Sequence, residues 1–268
     1  SEMCIRDRYL NCSDKLLKNP DIRRGLAHSV NMGLVIDTLF RGNMRRLGSY
    51  MEGYGDLTLP LKAPEYSKKK AMEYFARAGY REMGTDGVLK NERGERLVVE
   101  LTFADSSTLM TNVCSILRQE ALKCGVDLRL DSLTYSVCSR KVFEKRYQAA
   151  LWAWPLQTPF PRLYETFSSE LAYDARGNPV GNTNNIMAVS DAGLDAALDA
   201  ERNAPDTGSL KLALHRAQQR LHELCVWIPG WREPYTHIAC WRWIRWPESP
   251  TRFCSCLLYT SDAADDKA

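Results

Sequence analysis

Residues 147–163 read YQAALWAWPLQTPFPRL, and the fold turns on how that stretch is parsed. Its first part, 147–153, is a short apolar run rich in β-forming aromatics, which suits a buried strand. Pro155, Pro159 and Pro161 then remove backbone donors and fix φ, which forbids both a ladder and a helix. A strand therefore delivers Trp152 and Trp154 into a proline-stiffened loop. Strand alternation sends both indoles to one face, and the turn of the backbone at Pro155 sets that face beside a cleft. Gln157, Thr158 and Arg162 lie in the same loop, where they can orient a polar ligand. Core packing is an equally good reading of the two tryptophans, since most aromatics are packing residues.

Upstream of this strand the apolar period alternates between two and 3.6. A strand over 96–103, a helix over 107–123 stopped by Gly125, a strand over 126–130 and a helix over 136–145 lead into it. Strands separated by helices of this length pair in parallel through right-handed crossovers, so the fold class is α/β, a sheet with helices packed on it. In such sheets ligands gather beyond the carboxyl ends of the strands, which is where 154–162 must lie.

The outer regions read less sharply. Residues 17–42 open on Asn19-Pro20-Asp21, a cap followed by proline at the first helical position, and predict a helix closed by Gly42 with Arg23 and Arg24 on its exposed side. Residues 48–64 are rich in Gly, Pro and Tyr without a period, and read as a loop lying across a cleft. Residues 66–78 form a basic amphipathic helix ended by Gly79, and 88–95 a hairpin turning on 91–94. Downstream, 164–171 is helical. The polar segment 173–185 brings together Asn182, Asn184 and Asn185, whose amides suit a ligand's backbone and suit a turn equally well. Helices over 191–202 and 207–225 make a helical hairpin. Short β-type runs at 226–231 and 235–241 carry Trp227, Trp231 and Trp241, with Trp243 and Trp246 just beyond; this aromatic segment is either a second cleft wall or, preferably, a packing surface.

The two ends look foreign to the rest. Met3-Cys4-Ile5-Arg6-Asp7 can be encoded by ATG TGT ATA AGA GAC, and the reverse complement of that DNA, read in another frame, holds CTC TTA TAC ACA, which encodes Leu257-Leu258-Tyr259-Thr260 inside the run 256–261. This resembles a transposon-end sequencing adapter, so residues 1–8 and about 256–268 are read as artefact and set apart from the fold. What remains is a fragment open at both ends, so the lack of a signal peptide says nothing about compartment.

The formal net charge of +3 is too weak and too scattered to argue for nucleic acid. With 44% apolar residues the chain can bury one large core or one and a half ordinary ones. Seven cysteines outside the flanks, Cys12, Cys114, Cys124, Cys138, Cys225, Cys240 and Cys254, are odd in number and lack a paired CxxC, which reads as scattered thiols with room for one disulfide rather than a zinc or redox site.

Catalytic groups do not assemble. His28, His215, His222 and His237 fall in no HExxH, GxSxG or phosphate-cradling context, and His215 and His222 stand two helical turns apart. Glu165 and Glu170 are the one carboxylate pair near the cleft; as an alternative they would make the chain a carbohydrate-active α/β enzyme, although helix-surface acids are far commoner. The expectation is no enzyme, no metal and no cofactor.

Five collinear segments resemble one family. NPDIRRGLAHSVNMGLVIDTLFRG (19–42) is similar to the D-x-R-V-R-x-A-L-x-x-A-I-D-R helix of family 5 extracellular solute-binding proteins, the peptide receptors of ABC importers. YSKKKAMEYFARAGY (66–80) resembles their Y-D-P-x-K-A-x-x-L-L-x-E-A-G-Y helix, with Asp86-Gly87 following as expected. YQAALWAW stands where that family has its ydma-x-x-g-W strand. Residues 186–206 match its np-x-v-D-x-L segment, and HELCVWIPGWREPY its closing segment. The likeness covers 9–253 in order and is nearest to the branch associated with oligopeptides and the peptide antibiotic microcin C.

The resemblance implies a lobe of the type II periplasmic-binding-protein kind, with a mixed sheet, packed helices and an incomplete two-lobe architecture. Residues 9–234 would be the second, C-terminal lobe, and 235–255 the return toward a missing first lobe. Carried over, the ligand-facing residues are Trp152, Trp154, Gln157, Thr158, Asn184 and Asn185. Receptors of this kind often place an aspartate after the tryptophan to clamp a peptide's amino terminus; here Leu156-Gln157-Thr158 stands instead, so no amine clamp is implied. The implied function is the substrate-binding component of an ABC importer, periplasmic or extracellular and membrane-associated, monomeric, partnered by an oligopeptide or peptide-like ligand and by permease subunits. A receptor that docks on a membrane sensor is a further alternative.

Overall fold

In the computed structural model of the chain, residues 4–155, 161–234, 244–245 and 259–260 are described, with side chains over 8–153 and 161–234. The chain runs β1 (Cys4–Leu10), α1 (Pro20–Ser29), α2 (Met32–Phe40), β2 (Arg45–Arg46), α3 (Lys68–Arg77), β3 (Tyr80–Met83), β4 (Leu89–Asn91) and β5 (Val98–Ala104). It continues through α4 (Thr108–Lys123), β6 (Asp127–Leu133), α5 (Tyr135–Phe143), β7 (Ala149–Pro155), α6 (Leu163–Phe167), α7 (Ala192–Arg202), α8 (Thr207–Leu224) and β8 (Trp227–Arg232). A separate pairing joins Ile244–Arg245 to Tyr259–Thr260.

One mixed six-stranded sheet, in the order β2-β8-β1-β7-β5-β6, organises the lobe. β5 is parallel to both β6 and β7, as the alternating periods predict, while β1 is antiparallel to β7 and β8. Alternation along the strands feeds two apolar layers. Val99, Leu101, Phe103 and Leu151 pack with α1 to α4, and Ala150 and Trp152 with α5 to α8.

Residues 4–8, set apart above as adapter sequence, supply the backbone of the first half of β1. A ladder bonds main-chain groups, so an extended segment of any origin can fill the slot between β7 and β8. Arg8 pays for its place there by donating to the Ile228 and Pro229 carbonyls (3.5 and 3.2 Å) from a position only 3% exposed.

Several expectations are corrected. The helix over 17–42 is two helices, because Val30 is extended and Asn31 turns its side chain back to accept from Leu34 N, the use of Asn that a helix start favours. Arg23 is buried rather than solvated: its guanidinium donates to the carbonyls of Leu17, Lys18 and Leu224, so the charge is spread over three carbonyls. The loop at 48–64 lies on α8, not across a cleft. Gln218 accepts from Ser49 Oγ (2.7 Å) and Leu59 N (2.9 Å) and donates to Leu57 O (2.8 Å), while His215 reaches Asp56 O (3.0 Å).

Pro155 closes β7 rather than preceding the break, since a strand's last residue can dispense with its donor. The polar run Tyr80–Met83, missed in the pattern, pairs with β4 as a hairpin. β8 is an interior strand, and the pairing between β1 and β8 slips between Arg6 and Arg8, opposite Pro229 and Gly230. That bulge sends Trp227 to one apolar layer and Trp231 to the other, so both are core residues. Residues 235–241, and Trp241, Trp243 and Trp246, lie outside the described side chains. Cys12, Cys114, Cys124, Cys138 and Cys225 are free thiols.

Candidate ligand-binding site

Three parallel strands leave the sheet on one edge. Ala104 of β5 stands opposite Leu133 of β6, and β7, whose Leu151 is the last to pair with β5 (opposite Phe103), runs on to Pro155. Beyond them, residues 105–109 and 134–137 are exposed without interruption. Asp105 N donates to Leu133 O (2.8 Å), which ties the two crossover loops together. Ser107 caps α4 by accepting from Met110 N, and Thr111 Oγ1 meets Asp105 at 3.4 Å. These groups form a polar rim with exposed backbone at the carboxyl end of the sheet.

Trp152 sits at the root of this rim. It is 9% exposed, and its indole lies edge-on to Phe143 (6.0 Å, 86°) and parallel to the ring of Tyr135 (5.7 Å, 14°). The two readings of Trp152 thus meet in one residue: packed below by α5, it is the floor for an aromatic that faces solvent, since Tyr135 is 66% exposed. Tyr135 was not singled out in the sequence. The signal available was an aromatic in the first turn of a helix directly after a strand's carboxyl end, where core packing has no use for it.

The remaining candidates divide. The side chain of Trp154, and all of Gln157 and Thr158, lie outside the described residues. Asn184 is exposed, with its carbonyl accepting from Ile186 N (2.8 Å). Asn185 is fully buried, and its amide is used within the chain: Nδ2 donates to Ser168 O and Val189 O (both 2.9 Å), and Oδ1 accepts from Val189 N (3.0 Å). It braces the 168–189 segment from beneath.

The loop after β7 ends on a buried acid. Glu201 of α7 accepts from Leu163 N (3.0 Å) at the start of α6, and burial, opposed by the Leu163 and Tyr164 N–H groups, pushes its carboxyl up to about 7. Glu165 and Glu170 do not act as a pair. Glu165 meets Arg162 at 3.2 Å, and Glu170 accepts from Tyr164 Oη at 2.7 Å. His28 lies on Tyr74 and contacts the Glu65 carbonyl, a structural use like that of His215. Among the described residues no group of three His, Cys, Asp or Glu side chains could hold a metal ion.

The fold is thus an α/β sheet with helices packed on both faces and exposed crossover loops at 105–109 and 134–137. Residues 8–172 match the bacterial extracellular solute-binding proteins, family 5 (middle region), and the chain belongs to that family. The relatives it matches are solute-binding proteins, not enzymes. It is 23% identical over 107 residues to the oligopeptide-binding protein AppA of Bacillus subtilis (strain 168), covering 39% of this chain and 19% of that one.

The same protein's structure with a nonapeptide superposes with a TM-score of 0.75 at 15% identity, covering 88% of this chain and 48% of AppA. DppA of Helicobacter pylori in complex with the peptide STSA gives 0.72 at 17% identity, over 86% and 42% of the two chains. NikZ of Campylobacter jejuni with Ni(L-His) gives 0.72 at 19%, over 86% and 45%. The chain therefore spans less than half the length of these relatives, and at these identities the likeness establishes a shared fold.

Proposed function

We propose that the chain is the substrate-binding component of an ABC importer, a lobe that binds oligopeptides or peptide-like solutes for uptake. The family match over 8–172 carries this reading, and the exposed loops after β5 and β6 give it a surface on which to work. Residues 9–234 act as the second lobe and 235–255 as the return toward a first lobe, while the flanks at 1–8 and 256–268 take no part in binding. Trp152 contributes from below the rim; Trp154, Gln157, Thr158 and Asn184 contact ligand from the loops; Asn185 contributes by bracing. The protein works outside the cytoplasm as a single copy that hands its cargo to membrane permease subunits.

Binding needs no bond chemistry, only backbone hydrogen bonds and aromatic surface. One lobe leaves much of a ligand in water, so affinity for the chain alone is weak. Titration with a mixed tetra- to hexapeptide pool, followed by tryptophan fluorescence, is expected to saturate, with the peptides recovered intact by mass spectrometry. Cleaved peptides, or no saturable signal, would overturn the proposal.

A further inference from the structure

We infer that Tyr135, held flat on Trp152, is a stacking platform that selects ligands carrying an aromatic side chain. The inference rests on the peptide-binding reading above and adds a specificity to it.

Three rings are in contact in series, with buried Trp152 in the middle, half-buried Phe143 on one side and exposed Tyr135 on the other. Phe143 meets Trp152 edge-on, Trp152 lies parallel to Tyr135, and Tyr135 is the outermost member. From Trp152 to Tyr135 exposure rises from 9% to 66%. An aromatic in a helix's first turn that served packing alone would turn its ring into the core, where burying it contributes most. Here the ring covers a tryptophan with one side and leaves most of its surface to solvent, at the edge where three parallel strands end.

The geometry also fixes orientation in advance. Contact with Trp152 restricts the ring of Tyr135, so a ligand ring that stacks on it does not first have to order a swinging side chain. Parallel offset stacking is already the relation between Tyr135 and Trp152, and a third ring would extend the same arrangement. The platform belongs to α5 and β7.

The test uses the whole chain and two pentapeptides that differ at one position, Ala-Ala-Trp-Ala-Ala and Ala-Ala-Ala-Ala-Ala, with Ala-Ala-Lys-Ala-Ala as a cationic control. Affinities are measured by NMR titration for the unaltered chain, Tyr135→Ala and Tyr135→Phe, with circular dichroism as the check on folding. The unaltered chain is expected to prefer the tryptophan peptide. Tyr135→Ala should weaken that peptide about three- to tenfold while leaving the alanine peptide unchanged, and Tyr135→Phe should keep the preference.

Equal weakening of all three peptides, no preference in the unaltered chain, or a larger loss for the lysine peptide would overturn the platform and leave the peptide-binding reading standing. Binding of none of the peptides would overturn both.

Discussion

The two ends of the parallel strands are built in opposite ways. At the amino end, Leu97 and Val126 are fully buried, and the β3–β4 hairpin closes over them through Leu89 N to Gly125 O (2.8 Å) and Leu97 N to Leu89 O (2.7 Å). Gly125 is required there: its φ is +85°, and a Cβ would stand 2.5 Å from Leu89 Cγ. Arg96 bridges Asp86 and Asp127 at 2.8 and 3.3 Å across the outside of this seal. At the carboxyl end of the same strands, 105–109 and 134–137 are bare, and Leu109, Tyr135 and Val137 expose 37%, 66% and 38% of their surface. One end of the sheet thus buries its apolar residues, and the other leaves Leu109, Tyr135 and Val137 open to solvent.

The contrast can be broken most sharply by truncating each end. Leu97→Ala is expected to cost about 3 kcal/mol by urea denaturation, whereas Leu109→Ala should cost less than about 1 kcal/mol. Equal costs would mean that the rim is structural.

Glu201, which holds the start of α6, adds a pH-dependent contribution to stability. Glu201 stays protonated in the fold to about pH 7, against an ordinary value of 4.5, while the unfolded chain releases that proton earlier. The folded form therefore binds the extra proton in this window, and stability from this group falls as pH rises from about 4.5 to about 7, then levels off. Glu201→Gln should flatten that slope, a change of about 3 kcal/mol across the window, measured as Tm against pH.

Gly125→Ala tests the seal directly and should destabilise by about 1 to 2 kcal/mol, because both the positive φ and the Leu89 contact oppose a Cβ. Tyr135→Ala is the smallest effect on stability, within about 0.5 kcal/mol, since the ring it removes lies mostly in solvent.

How much of this was legible in the sequence follows from what each residue type signals. The β5–α4–β6–α5–β7 core was legible because apolar periods switch cleanly between two and 3.6, and the strand-end location of the rim followed from that order alone. β3 was not, because YREM shows neither apolar alternation nor a turn residue of its own; it holds through pairing with β4. Arg23 was read as solvated because charge is a surface signal, yet a guanidinium that finds the carbonyls of Leu17, Lys18 and Leu224 can be buried without an acid.

The slip at Pro229-Gly230 could not be foreseen from spacing, since i and i+4 ought to share a face of a regular strand. In the site, Trp152 announced itself through its neighbours, whereas Tyr135 depends on where β7 places an indole, a relation between elements some 17 residues apart that no local period carries.

On the proposed function, ligand is expected at the open edge of the sheet and not at the closed one. Backbone amide NMR of the chain during titration with the Ala-Ala-Trp-Ala-Ala peptide tests it most directly. Saturable shifts should gather at 105–109 and 134–137, with Leu89, Leu97 and Val126 unmoved. Shifts centred on the β3–β4 hairpin and the strands' amino ends would contradict it.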